Sequence, residues 1–70
     1  MEYFYKIIIY LKQGKPITTV KRLYIRNRGD VEEQEFKEAN RLNPGNVHKV
    51  DAWLLDETDP DVIAYKRQWL

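Results

Sequence analysis

Residues 3–11, Tyr3-Phe4-Tyr5-Lys6-Ile7-Ile8-Ile9-Tyr10-Leu11, decide the fold. Eight of these nine side chains are apolar or aromatic, and the ninth is Lys6. A strand with one wet face alternates apolar and polar residues, and this one scarcely alternates. Tyr3, Tyr5, Ile7, Ile9 and Leu11 make one unbroken apolar face; Phe4, Ile8 and Tyr10 make a second, interrupted only by Lys6. Such a strand needs cover on both faces and a neighbour along each edge, which is the position of a central strand.

On its C-terminal side, Gln13-Gly14-Lys15-Pro16 reads as a turn, with Gly for a positive φ and Pro to stiffen the exit. Ile17 to Arg26 reads as a second strand, antiparallel to the first. Ile17, Thr19, Leu23 and Ile25 share a face with Lys21, while Val20 and Tyr24 lie opposite. A bulge near Lys21-Arg22 is expected to reconcile that parity. Lys21, Arg22 and Arg26 dilute this strand and suit it to an edge.

Asn27-Arg28-Gly29 breaks the strand, and Asp30 reads as the cap of a helix over 31–42, with Glu33 completing a capping box. Phe36, Ala39 and Leu42 form its apolar stripe, leaving Glu32, Glu35, Lys37, Glu38 and Arg41 outside. Asn43-Pro44-Gly45 ends it. Val47 to Leu55 is a third strand, with Val50, Ala52 and Leu54 on one face and Lys49, Asp51 and Trp53 on the other. Asp59-Pro60-Asp61 opens a C-terminal helix, 60–69, whose apolar side is Val62, Ile63, Tyr65, Trp69 and Leu70.

The expectation is a single α+β domain over residues 1–70, in the order β-β-α-β-α, with a right-handed crossover before the third strand. Its sheet is expected to be mixed, three-stranded and of order 2-1-3, with helix 31–42 on one face. Helix 60–69 or a partner covers the other. The topology resembles half of a ferredoxin-like split β-α-β arrangement, and topology does not fix function.

A chain of 70 residues buries only roughly 60 per cent of the surface its unfolded form exposes, so its nine aromatics matter to its stability. With no cysteine, disulfides are excluded. No apolar run approaches a membrane span, and no basic leader with an apolar segment opens the chain, so a cytoplasmic protein away from membranes is expected. The net charge of +1 hides an asymmetry. Residues 1–28 hold seven basic residues against Glu2 alone, a net of +6, and residues 29–70 hold five basic and ten acidic, a net of −5. Such a split hints at a polyanionic partner, yet protected edge strands and acidic helix starts produce it too.

Catalysis is the poorest fit. Cys and Ser are both absent, and His48 stands in a strand with no evident acid or base partner. Asp56, Glu57, Asp59 and Asp61 cluster, but without the spacing of a calcium loop, and a helix start accounts for most of them. Gly14, Gly29 and Gly45 are scattered, so no phosphate-cradling motif supports a nucleotide; no cofactor and no metal are expected. Two binding classes remain. In one, the chain is a small non-enzymatic module that binds a protein, or itself, through a sheet edge and a basic and aromatic surface. The candidate residues are Lys12, Lys15, Lys21, Arg22, Arg26 and Arg28. Its size suits an accessory protein of a phage or mobile element. In the other, Phe4, Tyr10 and Trp53 stack the bases of a single-stranded nucleic acid while Lys6, Lys12 and the basic N-terminal hairpin meet phosphates. The position of helix 60–69 decides whether those rings are exposed or core.

Overall fold

In the computed structural model, which describes residues 1–68, the elements are β1 (Tyr3–Leu11), β2 (Ile17–Leu23), α1 (Arg28–Leu42), β3 (Val47–Leu55) and α2 (Pro60–Gln68). The sheet order is β2-β1-β3, with β1 antiparallel to both neighbours. β2 and β3 run the same way but never pair. The sheet is therefore antiparallel throughout, which corrects the expected mixed sheet.

The register fixes the faces. Ile7 sits opposite Thr19 on one side and Ala52 on the other, and Ile9 opposite Ile17 and Val50, so the odd residues of β1 face α1. Phe4, opposite Arg22 and Leu55, and Lys6, opposite Val20 and Trp53, face the other way. The β1–β2 register runs unbroken from Tyr3↔Leu23 to Ile9↔Ile17, so the bulge expected at Lys21-Arg22 is absent. Lys21 stays on the inner face because α1 brings Glu35 to it, Nζ to Oε1 2.6 Å. The irregularity lies in β3, where Tyr10 opposes Lys49 and Leu11 opposes Val47, skipping His48. That extra residue turns both Val47 and Val50 inward, three positions apart. β2 stops at Leu23 instead of Arg26: the ladder ends at Tyr3↔Leu23, and beyond it the carbonyls of Ile25 and Arg26 accept the Tyr5 hydroxyl in place of a strand partner.

α1 starts three residues before the expected 31. Its cap is Asn27, in extended backbone, whose side chain accepts from the Asp30 N–H at 3.2 Å. Asp30 lies inside the first turn, where its charge meets the helix dipole, and Glu33 pairs with Lys37 at 3.3 Å; the expected capping box does not form. The packed stripe is Val31, Glu35 and Ala39, one turn apart each, and not Phe36, Ala39 and Leu42; Phe36 and Leu42 are exposed. At the far end Asn43 N–H donates to Ala39 O at 2.8 Å, and Gly45, at φ 74°, reverses the chain. Asn46 then ties this end to the β1–β2 turn. It accepts from Gln13 N–H at 3.0 Å and donates to Gln13 O at 3.2 Å, while its carbonyl takes Lys12 N–H at 2.7 Å.

The core lies between α1 and the sheet: Tyr5, Ile7, Val31, Ala39, Val47, Val50 and Ala52, edged by Tyr3, Ile9, Leu11, Leu23 and Ile25. Tyr5 is fully buried, and its hydroxyl donates to Ile25 O at 2.7 Å and Arg26 O at 3.0 Å. Burial, with a smaller push from Tyr3, holds its ionisation above the usual tyrosine range. On the opposite face α2 is capped as expected, Asp61 N–H donating to the Asp59 carboxylate at 2.8 Å. Val62 is fully buried, and the Tyr65 ring meets Phe4 edge-on, centroids 5.6 Å apart at 73°. Ile63, expected on the apolar side, is exposed, and Trp69 and Leu70 lie outside the described residues. No helix among the described residues is long and apolar enough to cross a membrane.

Candidate functional site

The two free edges of the sheet are unlike. α1 lies over β3 and the adjoining side of β1, and from it Glu32 reaches round to accept the Ala52 backbone N–H at 3.3 Å. Arg28, in the first turn, spreads its guanidinium over the Trp53 ring, 4.1 Å from the centroid, and lies 3.9 Å from Glu32. The outer side of β3 is thereby partly closed. No comparable cap sits on β2 among the described residues, so its outer backbone groups face solvent.

Because α1 is offset toward β3, the inner face of β2 lies under a groove of about 240 Å³. Its floor is Ile7, Ile9, Ile17 and Thr19, and its wall is Ala39 and Leu42. Leu42 is 63 % exposed. The Lys21–Glu35 pair bridges the groove from β2 to α1. The Glu35 side chain is 6 % exposed and that of Lys21 39 %, so the acid is buried and its cation half in water. On the far side of this pair Glu38 and Arg41 line a more charged recess. Two hydrogen bonds from Arg41, at 2.6 and 3.2 Å, hold the Glu38 carboxyl below its usual range. The arrangement is an open strand edge with apolar surface beneath it and a charged closure at one end.

The expected basic surface does not come together. Lys12 lies at the end of β1 and Lys15 in the turn, while Lys21 and Arg22 lie near the other end of β2, on opposite faces. Lys21 is held by Glu35, and Arg22 is 3.6 Å from Glu2. Arg26 is in the β2–α1 connection, and Arg28 crosses to Trp53 beyond β3. The stacking face fares differently. Phe4, Lys6, Tyr10 and Trp53 do share one side of the sheet, and Lys6 pairs directly with Trp53. Each ring already has a neighbour. Tyr65 covers Phe4, leaving it 6 % exposed, and the Lys66 ammonium lies 5.5 Å from its ring. Lys49 lies 4.8 Å from the Tyr10 ring, and Trp53, 45 % exposed, carries Arg28.

Among the described residues no group of three or more His, Cys, Asp or Glu side chains gathers as a metal site. Asp56 instead accepts Thr58 N–H and hydroxyl, both at 2.9 Å, and these bonds, the backbone one first, lower its pKa. His48 is the exposed bulge residue of β3. Comparison of the chain with protein-family models, with curated proteins and with solved structures finds no match.

Sequence reasoning missed Glu35, Glu32 and the groove. One signal was present: Lys21 intrudes on an apolar face, where a half-buried ammonium calls for an acid delivered by the packed helix. The closure of β3 by Glu32 depends on the lateral offset of α1, which no periodicity encodes.

Proposed function

We propose that this chain is a non-enzymatic interaction module that binds a protein by accepting an extended strand along β2. The observation that carries this reading is the asymmetry of the edges: β2 is open with an apolar groove under it, and β3 is capped by Glu32 and flanked by Arg28. Strand addition draws affinity from main-chain hydrogen bonds and specificity from pockets for alternate side chains. A strand laid beside β2 sends every second side chain toward the groove at Ile17 and Leu42. The absence of Cys and Ser and the isolation of His48 support a role without turnover. Base stacking is the weaker reading, because the rings of Phe4, Tyr10 and Trp53 already carry intramolecular neighbours.

The test is selection of peptides from a displayed random library on the immobilised protein. Extended peptides with alternating apolar side chains are expected. Their binding falls on backbone N-methylation and in Ile17→Asp and Leu42→Asp, two exposed positions, and persists in Trp53→Ala. Peptides indifferent to N-methylation and to both groove substitutions overturn the reading. Tryptophan quenching by mixed oligonucleotides, lost in Lys6→Glu and Lys12→Glu, establishes nucleic acid in its place.

A further inference from the structure

We infer that the strand taken by β2 is the β2 of a second copy of this chain, joining two sheets into one of six strands; this rests on the strand-addition reading above. It follows from the order of residues along the open edge, Ile17-Thr18-Thr19-Val20-Lys21-Arg22-Leu23. Its chemical character is nearly the same read from either end: an apolar residue, two polar ones, a central valine, two polar ones, an apolar residue. An antiparallel pair with its twofold axis at Val20 sets Ile17 against Leu23 of the other copy, Thr18 against Arg22 and Thr19 against Lys21. Each cation meets a hydroxyl, so the opposed like charges that destabilise a cross-strand pair are avoided.

The neighbouring symmetric registers are worse. An axis at Lys21 sets that ammonium against its own copy, and one at Thr19 sets Leu23 against Lys15 and Arg22 against Pro16. The cations also arrive already neutralised within their own chain, Lys21 by Glu35 at 2.6 Å and Arg22 by Glu2 at 3.6 Å. Antiparallel pairing with opposed residues on a common face keeps both α1 helices on one side of the joined sheet, so exposed Ile17 gains an apolar neighbour in Leu23. On the other side a recess of about 390 Å³ between Val20 and α2 leaves room for the second valine. The interface is isologous and closes on itself as a dimer.

Because the chain has no cysteine, single substitutions report the register directly. In Val20→Cys the two thiols face each other across the axis, with Cα atoms about 4.5–5.5 Å apart, within disulfide reach. In Thr18→Cys the like residues lie four positions out of register, roughly 13 Å along the strand and beyond that reach. Under mild oxidation Val20→Cys is expected to form covalent dimer at least about tenfold faster than Thr18→Cys, following that difference in reach. A mixture of Thr18→Cys and Arg22→Cys chains is expected to cross-link as heterodimer, and the unsubstituted protein to sediment as a dimer. A monomer at all concentrations, or Thr18→Cys cross-linking as fast as Val20→Cys, overturns the inference. If peptides selected on the protein still bind β2 in that case, self-pairing alone is wrong; if they do not, strand addition falls with it.

Discussion

Tyr5 fills the core with its ring and holds the exit from β2 with its hydroxyl, shared between the carbonyls of Ile25 and Arg26. Tyr5→Phe keeps the ring and strands both acceptors, a loss of about 1–2 kcal/mol measurable by urea denaturation. Because burial raises the folded-state pKa, the native protein keeps a proton that the unfolded chain releases near the ordinary tyrosine value. The stability tied to this group is thus complete below about pH 10 and is lost as pH rises through the folded pKa. Tyr5→Phe is expected to flatten that alkaline decline relative to the parent. At the groove, Lys21→Met leaves the Glu35 carboxylate buried and unpaired. Loss of one partner of a fully buried pair costs about 3–5 kcal/mol, and the partial exposure of Lys21 reduces this to about 1–2 kcal/mol. Adding Glu35→Leu is expected to restore most of it, as read in the same denaturation midpoints. Half of this pair was legible in the sequence: Lys21 plainly interrupts an apolar face. Glu35 was not, because its spacing from Ala39 suits a helix stripe but its charge argues for the solvent side.

Among the elements, β1 and β3 have the bounds their composition predicts, since runs of β-branched and aromatic residues end at clear turn residues. β2 and α1 do not. The end of β2 depends on where β1 begins, and the start of α1 depends on which of two good capping residues, Asn27 or Asp30, the chain geometry uses. Asn27→Ala is expected to cost about 1 kcal/mol, against at most about 0.5 kcal/mol for Asp30→Ala, whose charge only favours the first turn. Thermal unfolding followed by circular dichroism distinguishes them. Glu32→Ala removes the acceptor from the Ala52 N–H and opens the β3 edge. Amide hydrogen exchange at Ala52 is expected to accelerate while that of Ile7 is unchanged.

For the molecule as a whole, the centre of the sheet was readable because residues 3–11 are apolar on both faces, and both faces are in fact covered, by α1 and in part by α2. Ile7→Asp places a charge at a fully buried central position and is expected to abolish cooperative unfolding. The asymmetry of the two edges was not readable, for it arises from α1 lying over β3 instead of the sheet centre. That offset leaves β2 uncovered, and under the proposed function β2 is the docking edge. Residue-resolved amide exchange tests it most directly, first on dilute protein and then with an added strand, either a selected peptide or excess protein. The outward amides of β2 are predicted to exchange fast when dilute and to slow on strand addition, with Ala52 slow in both states. Outward β2 amides protected from the start, or new protection confined to β3 and Trp53, would contradict a docking edge at β2.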